Sequence, residues 1–120
     1  MYSWRYGSKR EVNQLISRLK IYQKFKDYET RILIATGMFN RGVDFQGVNI
    51  VIQYDMAETG DEYLHRVGRA GRFGTKGLVI AFINSESEEE IKVLEETQKK
   101  FEVKIEALPE TIDSSYYMNN

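Results

Sequence analysis

Three arginines at intervals of three, Arg66, Arg69 and Arg72, stand in Leu64-His-Arg-Val-Gly-Arg-Ala-Gly-Arg-Phe-Gly74. A guanidinium is a planar fork of donors that is always charged, so three on one side make a site for a highly charged anion such as a triphosphate. On a helix Arg66 and Arg69 share a face. Gly71 is placed to end that helix and to bring Arg72 forward from the turn. Arginines at this spacing also suit a solvated helix face. The glycines at 68, 71 and 74 argue against that plainer alternative, because a merely solvated helix has no need of them.

A second stretch, Ala35-Thr-Gly-Met-Phe-Asn-Arg-Gly-Val-Asp-Phe45, leaves the end of an apolar run about 20 residues earlier. In open α/β sheets ligands bind at the carboxyl ends of strands. Thr36 is suited to a phosphate, Gly37 and Gly42 to close backbone approach, and Arg41 and Asp44 to oriented charge. The alternative is an ordinary strand-to-helix turn with an Asp near the cap. Asp61-Glu-Tyr-Leu-His65 imitates a metal-binding D-E-x-x-H. It follows a cap sequence rather than an apolar strand, so it is read as an acidic first helical turn and assigned no metal. His65 is the one histidine, with no reacting group evident beside it. Tyr2, Trp4 and Tyr6 alternate beside basic residues, a pattern that stacks on bases or simply belongs to a terminus.

These residues need elements to hold them. Val12, Leu15, Ile16, Leu19, Tyr22 and Phe25 recur at helical spacing and predict an amphipathic helix over 11–28. Three apolar runs, 31–36, 48–54 and 78–83, are continuous rather than alternating, as in a parallel sheet covered on both faces. Thr59 with Glu62 has capping-box spacing and predicts a helix to about Arg69; Ser85 with Glu88 predicts another to about Phe101, with Ile91, Leu94 and Phe101 inward. Glutamate-first i,i+4 pairs Glu88/Lys92, Glu95/Lys99 and Glu96/Lys100 are expected on it. A short strand is expected near 102–105. The fold class is α/β, with three or four mainly parallel strands flanked by helices.

The 120 residues suffice for one small domain, and 42% apolar with 29% charged residues suits an ordinary core. A formal net charge of −1 argues against a protein that holds nucleic acid by bulk charge alone. The charge is nevertheless uneven: 65–76 holds three arginines and a lysine without an acid, whereas 86–96 holds six glutamates and one lysine. Absence of cysteine excludes disulfides and thiolate metal sites. No apolar run is long enough to span a bilayer, and the first residues lack the core of a signal peptide.

Thr36…Arg41-Gly-Val-Asp44 resembles motif V of superfamily-2 helicases, and His65-Arg-Val-Gly-Arg-Ala-Gly-Arg72 resembles motif VI of the DEAD-box RNA helicases. Tyr54-Asp-Met lies where that family has a Tyr-Asp. Tyr22-Gln-Lys-Phe-Lys-Asp, Arg72-Phe-Gly-Thr-Lys-Gly and Phe101-Glu-Val…Leu-Pro-Glu resemble the branch that acts in pre-mRNA splicing and mRNA export. The departures are Gly37, where motif V has Asp or Asn, and the first 15 or so residues.

The resemblance implies part of the second RecA-like lobe over 17–116, after an unrelated or poorly ordered segment 1–16 and before a polar tail 117–120. It implies Arg69 and Arg72 as catalytic arginine fingers, Gly42 and Asp44 at ATP (Asp44 on the ribose), Thr36 and Gly37 at RNA phosphates, and His65 and Arg66 in coupling between lobes. ATP with Mg2+ is expected to be held mainly by a first lobe, since the 120 residues contain no G-x-x-x-x-G-K-[ST]. The chain alone is expected to be inactive. Expected partners are RNA, ATP, the first lobe or an intact helicase, and a second copy through an unfinished sheet edge, with no membrane. The expected location is the nucleus, with the cytoplasm as the other option. The alternative function is a non-catalytic paralogue that binds RNA or a partner.

Overall fold

The computed structural model describes residues 9–35, 47–71 and 74–118, and the chain divides into two units, 1–36 and 37–120. Thr36, Gly37, Arg41, Gly42, Asp44 and Arg72 lie outside the described residues, as do Tyr2, Trp4 and Tyr6.

In the first unit, helix α1 spans Lys9–Lys26 with Lys24 and Lys26 in its last turn, where cations favour the negative end of the helix dipole. It closes as a Schellman motif. Tyr28 takes the left-handed conformation at φ 62, its N–H donates to the Phe25 carbonyl, and Glu29 N–H donates to the Lys24 carbonyl. A tyrosine in that position costs about 1 kcal/mol against glycine. Leu15, Ile16 and Leu19 are exposed.

The expected strand at 31–36 is not formed in its described part, 31–35. A lone strand cannot satisfy its own N–H and C=O groups, and this unit offers no neighbouring strand among the described residues. Ile32 and Ile34 are 79% and 92% exposed.

In the second unit, β1 (Ile50–Gln53) and β2 (Leu78–Ala81) pair in parallel with Ile50 opposite Leu78 and Gln53 opposite Ala81. Parallel strands need a crossover, and α2 (Gly60–Val67) lies within it. Helix α3 (Glu88–Phe101) follows β2. The core is Met56, Ala57 and Tyr63, packed with Val67, Ala81, Ile83, Val93, Leu94 and Ile105. The other side of the sheet leaves Ile52, Tyr54 and Phe82 exposed. The class is α/β with a parallel sheet, as expected, but the sheet has two strands among the described residues rather than three or four. The expected strand near 102–105 is absent because its hydrogen-bonding groups are spent elsewhere. Glu102 takes φ 52 to cap α3, Val103 N–H donates to the Gln98 carbonyl, and Ile105 N–H donates to Gln98 Oε1.

Two helix details differ from expectation. The cap of α3 is Ser87, whose hydroxyl accepts from Glu90 N–H, two residues beyond Ser85. Asn84 explains the shift. Its side-chain oxygen accepts from Glu86 N–H and its carbonyl accepts from Ser87 N–H, so Ser85 and Glu86 are consumed in a turn. Among the described residues none of the expected pairs Glu88/Lys92, Glu95/Lys99 and Glu96/Lys100 forms; Lys92 meets Glu96 at 3.9 Å, and Lys100 meets Asp61 of α2 at 2.9 Å.

Gln53 is 3% exposed, and neither its Oε1 nor its Nε2 has a hydrogen-bond partner. Burying an amide without partners costs about 1–3 kcal/mol. Gln53→Met, of similar length and without the polar atoms, is therefore expected to raise stability by about 1 kcal/mol. Urea denaturation checks this; an unchanged or lower midpoint would refute it.

Candidate functional site

The arginine series is positioned by the way α2 starts. Thr59 is extended, and its hydroxyl accepts from Glu62 N–H at 3.1 Å, as the capping-box spacing predicts. The Glu62 carboxylate reaches back one residue further than in the usual box, to Glu58 N–H at 3.2 Å. A Cβ built on Gly60 would stand 3.1 Å from Thr97 Oγ1, so the start of α2 lies almost against the backbone of α3. Thr97 fits there because it is small and returns its hydroxyl to the Val93 carbonyl. Across the same crossing Lys100 Nζ bonds Asp61 Oδ1, and this hydrogen bond and charge hold the Asp61 carboxyl below the usual range. Tyr63, buried on the inner face, anchors the helix; burial pushes its hydroxyl up.

Arg66 is committed inside the domain. Its guanidinium donates to the Asp55 carbonyl, just past β1, and to Glu62 Oε1 at 2.9 Å. The side chain is only 19% exposed, so this is a brace between strand exit and helix rather than a surface ion pair. His65 is exposed on the same helix.

Helix α2 ends at Val67, earlier than the predicted Arg69, and Gly68 caps it in the right-handed region. The chain then tightens. Arg69 N–H donates to the Arg66 carbonyl and Ala70 N–H to the Val67 carbonyl, a pattern of i to i−3 bonds. Arg69 thus sits on a tight turn past the helix and does not share its regular face with Arg66. Its guanidinium makes no hydrogen bond or ion pair among the described residues. Gly71, at φ +66, makes the left-handed step four residues beyond Val67, where the helix ends.

The loop that follows is drawn closed at its base. A Cβ built on Gly77 would fall 2.5 Å from Gly71 N and 2.8 Å from the Ala70 carbonyl carbon, so two backbones touch where no side chain fits. Lys76 Nζ donates to the Ser115 carbonyl at 3.1 Å, in a short 3-10 turn, Ser114–Tyr116. Sequence reasoning missed Lys76, Thr97 and the use of Asp55 through its carbonyl. A lysine bonding a carbonyl 39 residues away leaves no periodic trace; the Gly-Thr-Lys-Gly run was the one available sign.

What the described half of the site can do is bind an anion: a free guanidinium on a tight turn, beside a second guanidinium that stiffens the scaffold. Among the described residues no three metal-ligating side chains cluster. No helix among them is long and apolar enough to cross a membrane.

Comparison with known proteins agrees with this geometry. The family model described as the helicase conserved C-terminal domain matches residues 13–74. The ATP-dependent RNA helicase uap56 of Schizosaccharomyces pombe is 57% identical over 102 residues, which is 85% of this chain and 23% of that protein. S. cerevisiae Dbp5 bound to RNA and ADP BeF3 superposes with a TM-score of 0.60 at 31% identity, over 79% of this chain and 24% of that one. The C-terminal domain of the DEAD-box protein Dbp5 gives a TM-score of 0.60 at 26% identity, over 82% of this chain and 68% of that one. The chain therefore spans about a quarter of the length of the full-length relatives it matches. With a family model across half of the chain and relatives this similar, the chain belongs to the DEAD-box helicases, as part of their conserved C-terminal domain.

Proposed function

We propose that the chain serves as the C-terminal lobe of an ATP-dependent RNA helicase of the splicing and export branch, working in the nucleus. The observation that carries this is the division of labour in the arginine series. Arg66 is spent on the Asp55 carbonyl and Glu62, whereas Arg69, on the adjoining tight turn, keeps its guanidinium available. A solvated arginine face gives no reason for one member to brace the scaffold of the next.

In this proposal Arg69 and Arg72 contact the γ-phosphate of ATP held on the first lobe, and Gly42 and Asp44 meet the nucleotide, Asp44 through the ribose. Thr36 and the Gly37 backbone meet RNA phosphates. Arg66 fixes the spacing between the β1 exit and α2, and His65, exposed beside it, faces the opposing lobe; together they couple closure to both ligands. When bound, ATP with Mg2+ supplies a phosphoanhydride whose γ-phosphoryl oxygens gain negative charge as it is cleaved. Guanidiniums already in place stabilise that charge without reorganising. The partners proposed are RNA, ATP and the first lobe.

The experiment has two arms. The chain alone, with Mg2+, ATP and RNA, is expected to release no phosphate, since its 120 residues include no Gly-rich cradle for the β- and γ-phosphates. A chimera in which residues 17–116 replace the matching segment of an intact relative is expected to regain RNA-stimulated ATP hydrolysis. Turnover by the chain alone that survives further purification, or a folded chimera with none, overturns the proposal.

A further inference from the structure

We propose that Lys76 is a positioning residue for Arg69, acting through the closed base of the loop and anchored on the C-terminal turn. The inference rests on the assignment of Arg69 to the γ-phosphate. The chain of contacts is continuous. The acceptor end is preformed: Asp113 caps the turn by accepting from Ser115 N–H at 2.8 Å, and Tyr116 N–H returns to the Asp113 carbonyl. The bonds from Ser115 hold the Asp113 carboxyl below its usual range, and the Tyr116 bond fixes the peptide that carries the Ser115 carbonyl. Lys76 Nζ bonds that carbonyl. The next residue, Gly77, lies against Gly71 N and the Ala70 carbonyl carbon with no room for a methyl group. Ala70 follows Arg69 directly, and both are held by single i to i−3 bonds, the Arg69 one long at 3.4 Å.

That long bond is the reason a further anchor matters. On its C-terminal side the turn packs against Gly77 and the Thr75 carbonyl, and Gly77 lies between β2 on one side and Lys76 on the other. Gly74, midway in the loop, has left-handed φ +74 and no atom within 4 Å of a built Cβ. Without the Lys76 bond, the base of the loop is free to pivot on β2 and carry Ala70 with it. A small misplacement of a group that acts only in the transition state lowers the rate and leaves substrate binding nearly intact.

The test uses the chimera for kinetics and the full chain for hydrogen exchange. Lys76→Met in the chimera is expected to lower kcat by about 3- to 10-fold with the KM for ATP within about twofold. Lys76→Arg, which keeps a cationic donor, is expected to retain more than about half of kcat. Asp113→Ala, which loosens the acceptor, is expected to match Lys76→Met, and the double variant to be no worse than either alone, because both break one strut. In the full chain, Lys76→Met is expected to raise amide exchange at Arg69 and Ala70 by about threefold or more. If Arg69→Lys impairs the chimera but Lys76→Met does not, the inference fails and the proposed function stands. If Arg69→Lys has no effect, the proposed function fails first. If exchange at Arg69 and Ala70 is unchanged in Lys76→Met, the strut is refuted whatever the kinetics.

Discussion

In the chimera, Arg69→Lys and Arg72→Lys are each expected to lower kcat for ATP hydrolysis by about 10- to 10³-fold at saturating ATP and RNA. Lysine keeps the charge but loses the planar fork that meets two phosphoryl oxygens at once. Complete loss of an arginine finger costs about 10³–10⁵ in well-studied phosphoryl-transfer enzymes, so a substitution that retains a point charge should fall short of that. The loss should appear in kcat rather than in affinity, because the charge being stabilised develops only in the transition state. Asp44→Ala is the internal contrast. A ribose contact is alike in ground and transition states, so it should raise the KM for ATP more than it lowers kcat. Steady-state kinetics on the variants decides the matter. Near-normal kcat in both lysine variants would remove the finger assignment and favour a solvated or RNA-facing arginine series.

The second large effect is on stability. Gly77→Ala adds one methyl group, and that methyl would stand 2.5 Å from Gly71 N, 2.8 Å from the Ala70 carbonyl carbon and 2.9 Å from Ala70 Cβ. Two of the three obstacles are backbone, which cannot swing aside as a long side chain can. The base of the loop must open, or β2 must shift against β1. Overpacking of this kind costs about 3 kcal/mol, a large part of the stability of a domain this size. Gly74→Ala separates sterics from conformation. It meets no atom but must adopt φ +74, so it should cost only about 1 kcal/mol. With a urea slope of about 1–3 kcal/mol per molar, the Gly77→Ala midpoint should fall by at least about 1 M. A Gly77→Ala midpoint no lower than that of Gly74→Ala would show that the base of the loop has slack.

Side-chain chemistry was legible in the sequence where residue type alone decides it. Three guanidinium groups at fixed spacing, glycines among them, and Thr59 three residues before Glu62 predicted an arginine-bearing element started by a hydroxyl cap, and that is what forms. Strands were legible only in part: the runs 48–54 and 78–83 form β1 and β2, whereas two other runs form none. The runs 31–35 and 102–105 have the composition of strands, but a strand exists only where another strand accepts its hydrogen bonds. In the second case Gln98 and the end of α3 claimed them instead. The start of α3 was misplaced by two residues because Asn84 and Ser85 compete for the same few donors, and the sequence does not say which prevails. Lys100 illustrates the same limit from the other side. Glu96 is the local partner that helical spacing provides, yet the crossing at Gly60 and Thr97 brings Asp61 within reach. For the arginines, sequence showed which could act, and the folded chain shows Arg66 held by its own domain.

The Arg66 brace also sets a timescale. An unanchored surface arginine samples its rotamers in picoseconds to nanoseconds, whereas packed elements travel together in microseconds to milliseconds. Arg66 locks helix to strand exit, and Arg69 leaves that helix within a single tight turn. The backbone beneath Arg69 therefore inherits the slow clock of the sheet, and only its guanidinium keeps the fast one. If Arg69 takes the proposed place at the γ-phosphate, its arrival there is gated by travel of the whole lobe, and the step that admits hydrolysis is paced by rigid-body motion and not by the wandering of one side chain.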